Sequence, residues 1–465
     1  MSDATGQAET RIDALVSALT LDRKIRLLSG ATSWTTHAEP VIGLRALVMS
    51  DGPVGVRGLT WDERDFSHNV PSPTAMAASW DTDLIGRLAR LLASECRRKG
   101  VDILLAPTIN LHRTPLGGRH FECFSEDPLL TARIGTAYVD GLQSAGIAAT
   151  PKHFVANDSE TERMTYEAVI EPRPLRELYL KPFEEILRDA RPWLVMAAYN
   201  GANGPTMTEN PLLDEVLKGE WGFDGAVVSD WNAVHSVAAS GRAGTDLAMP
   251  GPETPWTGDA LLTAVRSGEV PEAAIDEKIR RLLRLAARVG ALEGFTPAVP
   301  AGEPLDDTAA ASLAREAAVA GMVLARNNGV LPLPQSGLRK VAVLGPNAAH
   351  ARVQGGGSAR VAPPYTVSPL EGLIEALGPD VEVVHTAGAH TTTGLRPFDR
   401  TQVSDPVDGS PGVRVRLRDG SGHVWRDEHR DSGWLLWMDI PEVGRIAEIE
   451  ASCVFRAPVD GTYRL

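Results

Sequence analysis

Cysteine is scarce in this 465-residue chain: Cys96, Cys123 and Cys453 are odd in number and their spacing matches no disulfide framework or zinc site. Buried free thiols are therefore expected. His112 and His120 form no recognised ligand motif with nearby carboxylates, so neither a metal nor another cofactor is expected. No run of Lys and Arg forms a basic arm, and the formal charge of −14 opposes attraction to nucleic acid or an anionic membrane surface. No apolar stretch reaches transmembrane length, and MSDATGQAETRIDALVSALT lacks the basic start and apolar core of a signal peptide. A cytoplasmic protein acting on a small or neutral substrate is the expectation.

What is present is an ordinary globular composition, 43% hydrophobic and 23% charged, in a chain long enough for several domains. Between residues 40 and 295, short apolar runs alternate with amphipathic stretches, the pattern of repeated βα units. Strands are predicted in ALVMSDG (46–52), DILLAPT (102–108), IAATPKHF (147–154), WLVMAAYN (193–200), GAVVSDW (225–231) and DLAMPG (246–251). Helices are predicted over 81–100, 173–190 and 272–292. An α/β fold of this length fits a TIM-like (β/α)8 barrel over residues 1–295, with a doubly wound sheet as the alternative.

The Pro- and Gly-rich segment FTPAVPAGEPLDD reads as a linker over 296–308. A second α/β unit is expected to open with DTAAASLAREAAVAGMVLARN and to occupy 309–395. From 396 to 465, alternating segments such as VRVRLRDGSGHVW and SGWLLWMDI predict a small β domain. It breaks off in a strand-like run at Leu465, from which truncation is inferred.

Barrel enzymes place reacting groups at the C-terminal ends of strands. Here those ends carry Asp51, Lys152 with His153, Tyr199 with Asn200, and Asp230 with Trp231. Any one of them could be a helix or turn cap, but several charged groups converging on one pit point to a site. Paired carboxylates suit glycoside hydrolysis, whereas Lys152 leaves open a Schiff-base aldolase.

Four stretches narrow the choice. NLHRTPLGGRHFECFSEDP (110–128), KHFVANDSETERM (152–164), VMAAYNGANG (195–204) and GAVVSDWNAVHS (225–236) resemble, in order and spacing, the motifs of glycoside hydrolase family 3 β-glucosidases. The resemblance implies a retaining hydrolase of β-glucosides or short oligosaccharides with Asp230 as nucleophile and Trp231 as an aromatic face for the sugar. Asp51, Arg57, Arg119, Lys152, His153 and Arg163 are implied to bind sugar hydroxyls, with Tyr199 beside the nucleophile. GGGSARV resembles a loop that returns over the barrel, implying a substrate contact from Ser358; a flexible linker is the alternative. Arg113 is expected to brace its loop, and His112 and His120 to be structural.

The segment from 396 resembles the start of a PA14 domain, which in relatives limits substrate length. The subgroup's general acid is a glutamate in the second domain, implied to lie beyond residue 465. KHFVAND departs from the KHFPGHG-type motif of N-acetylglucosaminidases, so that subgroup is not expected. β-Xylosidase or α-L-arabinofuranosidase activity, or a sugar-binding role without catalysis, remain as alternatives.

Overall fold

The computed structural model describes residues 2–60, 62–300, 302, 305–334, 336–389, 402–431, 446–457 and 459–462. Two compact units emerge. The first comprises Met1–Leu59, His68–Val323 and Gln354–Arg360; the second comprises Thr60–Ser67, Leu324–Val353 and Val361–Leu465.

In the first unit, β1 (Met49–Asp51), β2 (Ile103–Leu105) and β3 (Ala148–Ala149) form a parallel sheet in that order, with Met49 opposite Ile103 and Ile103 opposite Ala148. Next come β4 (Glu167–Ala168), β5 (Leu194–Ala197), β6 (Gly201–Ala202) and β7 (Ala226–Ser229); β5 pairs with β7 and β4 with β6, again parallel. Single parallel bridges extend the succession: Thr108 to Lys152, Phe154 to Ala197, Val228 to Leu247 and Ala248 to Ser29. The α/β class expected from the sequence is observed. Among the described residues its strands form small sheets of two or three, not one eight-stranded ladder.

Every residue of β1, β2, β3, β5 and β7 is buried, as a parallel sheet covered on both faces requires. The covering helices have readable causes. Asp81 accepts the Leu84 N–H at 2.9 Å and starts Thr82–Arg98, which buries Leu84, Leu88, Leu91 and Leu92. Asp127 accepts from Leu129 and Leu130, and Pro128 pre-sets the first turn of Pro128–Gln143. These two helices approach so closely that a Cβ on Gly141 would lie 2.5 Å from that of Ala89. Glu272–Arg288 matches its predicted helix in position and type.

Three expectations are corrected. DLAMPG contributes only bridge residues, Leu247 and Ala248, because Pro250 has no N–H for a ladder. Residues 173–190 are not one helix: a turn at Pro172–Pro174 and a π-helical Leu175–Tyr179 precede the α-helix Lys181–Ala190, whose Pro182 cannot serve a continuous i to i−4 ladder. The helix Asp307–Ala320, expected to open the second unit, buries Ala310, Leu313 and Ala317 in the first unit's core instead. Arg87 pairs with its Glu316.

The second unit contains a parallel pair, β8 (Lys340–Leu344) and β9 (Glu382–Thr386), with the helix Pro369–Leu377 begun by a Ser368–Glu371 capping box. Its β part is antiparallel. β10 (Val403–Ser404) pairs with β14 (Val454–Phe455), while β11 (Val413–Asp419) lies between β12 (Val424–Arg430) and β13 (Ile446–Ser452). Val413, Val415 and Leu417 alternate inward to form a small core. Buried Arg430 makes a paired contact with Glu63, at 2.9 and 2.6 Å. SGWLLWMDI lies outside the described residues. No described helix is long and apolar enough to cross a membrane.

Candidate functional site

The C-terminal ends of the parallel strands bring the expected residues together. Asp51 is the last residue of β1, Lys152 and His153 follow β3, Tyr199 follows β5 and Asp230 follows β7. Lys152 Nζ lies 3.0 Å from Asp51 Oδ1, both side chains being nearly inaccessible. Arg57 is buried beside them, its Nη1 donating to the Ser358 carbonyl at 2.9 Å. The Ser358 side chain hydrogen-bonds to Asp51. The glycine loop is therefore more than a flexible linker: a Cβ at Gly355 would fall 2.2 Å from the Phe121 ring, so only glycine lets the backbone pass there.

Around Asp230 the arrangement is different. The Trp231 N–H donates to Oδ1 at 2.8 Å, whereas Oδ2 is buried without a hydrogen-bond partner. His153 Nε2 stands 3.4 Å from that Oδ2, and Tyr199 interacts with the same carboxylate. Arg163 lies over the Tyr199 ring at 5.3 Å and pairs with Glu160 at 2.7 Å. Arg119 is held in a two-pronged pair by Glu122, at 3.1 and 2.9 Å, and its charge is felt at Asp230. The Lys152–His153 and Phe154–Val155 peptides are cis.

These surroundings set opposite acidities for the two aspartates. Burial would raise Asp51, but the adjoining Lys152 and Arg57 charges outweigh it and bring the carboxyl down to about 2. For Asp230 burial wins and the pKa is raised, with Arg119 and Lys152 opposing the shift. Burial, reinforced by Arg119, Lys152 and Arg163, lowers His153 well below its usual value, so the imidazole is neutral. Burial lowers Arg57 to about 10, partly offset by Asp51.

Two neighbours escape sequence reading. Trp34 stacks on Trp231 with ring centroids 5.1 Å apart, and the Arg57 guanidinium lies over the Trp34 ring, 3.7 Å from its centroid. The Trp231 indole N–H is fixed by the Ser33 carbonyl at 2.9 Å. Asn110 brackets His153: its Oδ1 accepts from the His153 backbone N–H at 2.9 Å and its Nδ2 donates to the His153 carbonyl at 3.0 Å. Asn110 lies within a recognisable motif, but nothing in its side chain distinguishes bracing from capping.

Arg113 lies over Tyr179 at 5.6 Å, and His112 contacts the His120 carbonyl at 3.1 Å and the His120 ring. Asp405, Asp408 and His429 bring three potential ligand atoms together in the second unit, but they are joined to one another and to Ser410 and Arg414 by internal bonds. A cavity of about 470 Å³ lies at the opposite, N-terminal ends of β5 and β7, lined by residues such as Leu187, Arg191, Trp221 and Phe223. Its own charged residues, Glu184, Arg188, Arg191 and Asp224, are exposed or half-buried, unlike the enclosed carboxylates and cations around Asp51 and Asp230.

Comparison with known proteins accords with this geometry. A β-glucosidase of Rhizobium radiobacter is 44% identical over 439 residues, covering 92% of this chain and 52% of the relative. β-Glucosidase B of Emericella nidulans is 44% identical over 407 residues, covering 86% and 48%. The crystal structure of a Kluyveromyces marxianus β-glucosidase in complex with glucose superposes with a TM-score of 0.82 at 32% identity, covering 90% of this chain and 52% of that one. The chain thus spans about half the length of the curated relatives it matches. The glycosyl hydrolase family 3 C-terminal domain matches residues 322–433, most of which lie in the second compact unit. The family's N terminal domain matches residues 27–285, more than half of the sequence, and the chain belongs to glycosyl hydrolase family 3.

Proposed function

We propose that this chain carries the sugar-binding and nucleophilic part of a retaining β-glucosidase acting on terminal, non-reducing β-D-glucosyl residues. The observation that carries the reading is Asp230, a buried carboxylate with one oxygen anchored and the other unpartnered, flanked by the charges of Arg119 and Lys152. Oδ2 attacks the anomeric carbon, the glycosidic C–O bond breaks, and a proton passes to the departing alcohol from an acid. Water then releases the sugar from the ester. Asp51, acidic at about 2, is unsuited to donating that proton. It is suited to accept hydrogen bonds from sugar hydroxyls beside Lys152, Arg57 and Ser358, while Trp231 supports the apolar face of the ring.

The resemblance to the family implies a second-domain glutamate as the acid, and that assignment belongs to the proposal. So do a barrel built on the parallel strand succession and a PA14-like role for residues 396–465 in limiting substrate length. Lys152 is committed to Asp51 at 3.0 Å, which disfavours a free amine nucleophile.

The test is incubation with a dinitrophenyl 2-deoxy-2-fluoro-β-glucoside, whose leaving group needs no acid, followed by intact mass and peptide mapping. A single fluoroglucosyl adduct on Asp230, absent in Asp230→Asn, is expected. A folded chain that labels elsewhere, or not at all, overturns the reading.

A further inference from the structure

Asn110 and His153 form a unit that the hydrolytic scheme does not use, and their hydrogen bonds determine where one proton sits. The Asn110 amide is oriented by two backbone partners: Oδ1 accepts the His153 N–H at 2.9 Å, and Nδ2 donates to the His153 carbonyl at 3.0 Å. The same Oδ1 lies 2.8 Å from His153 Nδ1. An amide oxygen can only accept, so Nδ1 must carry the hydrogen. The imidazole is fully enclosed and surrounded by Arg119, Lys152 and Arg163, which disfavour a second proton. Nε2 is therefore bare, and it is Nε2 that faces Asp230 Oδ2 at 3.4 Å.

From this we infer that Asn110 is a positioning residue that locks His153 in the Nδ1–H tautomer and so keeps a hydrogen-bond donor away from the attacking oxygen of Asp230. In the other tautomer Nε2–H would donate to Oδ2, engage the lone pair needed for attack and stabilise the carboxylate before reaction more than at the transition state. Asn110 touches neither the reacting atoms nor the sugar in this scheme; it acts through His153.

The inference rests on the glycosidase reading for its catalytic consequence but not for its tautomer. The full chain, labelled with nitrogen-15 in histidine, is examined by long-range proton–nitrogen NMR, with His153 assigned by its loss in His153→Gln. A pyridine-like Nε2 and a protonated Nδ1 are expected. In Asn110→Asp the carboxylate favours a proton on both ring nitrogens, so Nε2 gains its proton. Reaction with the dinitrophenyl fluoroglucoside, in which the C1–Oδ2 bond forms as the C1–oxygen bond breaks and the electron pair leaves with dinitrophenolate, should slow up to about a hundredfold. A protonated Nε2 in the unaltered chain overturns the inference, as does an Asn110→Asp chain that gains the proton yet labels at the original rate. If the unaltered chain never labels, the glycosidase reading fails; the NMR spectrum still decides the tautomer.

Discussion

The strands of the first unit are buried along their whole length, whereas β8 and β9 in the second alternate between exposed and half-buried positions. Leu344 is 72% exposed, and the helix Pro369–Leu377 buries no residue although its sequence, PLEGLIEAL, is strongly apolar. An apolar pattern can thus establish an element and its register without creating a core. A core also needs layers on both faces, which Thr82–Arg98, Pro128–Gln143 and Lys181–Ala190 help provide in the first unit. The first unit can consequently hold charged groups in enclosed positions, because its framework resists relaxation around them.

The largest effect that would sharpen this contrast is expected at Phe154, fully buried with its ring edge-on to Phe183 and Trp221. Phe154→Ala should cost about 4 kcal/mol in denaturant unfolding. A loss below about 1 kcal/mol would show that the first unit collapses around cavities as a loosely packed one does. Next, Lys152→Met should cost about 3 kcal/mol by stranding Asp51 in a closed environment where Arg57 gives only partial compensation.

The sign of the accompanying pH effect is fixed. Because the folded Asp51 value lies near 2, below the usual 3.8, its contribution is full above 3.8 and disappears as pH falls toward 2. The destabilisation by Lys152→Met should therefore be largest near neutral pH and shrink as pH falls and Asp51 takes up a proton, read from denaturant unfolding followed by circular dichroism at a series of pH values. Asp230 has the opposite sign: its raised pKa means that stability is lost as pH rises through the folded value. At neutral pH, Asp230→Asn should melt at a higher temperature than the unaltered chain while losing its labelling, and a lower melting temperature would contradict the burial cost. The smallest effect belongs to the second unit, where Leu344→Ser should change stability by no more than about 0.5 kcal/mol. A change comparable to that of Phe154→Ala would break the comparison.

Much of this architecture was legible in the sequence because fully buried parallel strands leave continuous apolar runs, and the polar residues ending them stand out. Five of the six strand segments were placed on that basis, and Asp51, Lys152, His153, Tyr199 and Asp230 followed from the same break in polarity. The division at Pro174 and Pro182 was also written in the chain, but an amphipathic period spanning it masked the change of helix type. Asp307–Ala320 shows why domain boundaries are harder: periodicity identifies a buried face without saying which core receives it. Trp34 and Asn110 were invisible for a related reason, since stacking on Trp231 and bracketing His153 exist only after distant segments meet.

The Trp34–Trp231 stack has an optical consequence. Two indoles with centroids 5.1 Å apart and planes inclined by 28° have coupled electronic transitions, which give the pair a circular dichroism couplet absent from isolated tryptophans. The guanidinium of Arg57, 3.7 Å above one ring, biases that spectrum electrostatically. A ligand that settles on Trp231 or draws Arg57 aside would alter both signals, giving this region a label-free spectroscopic gauge of occupancy.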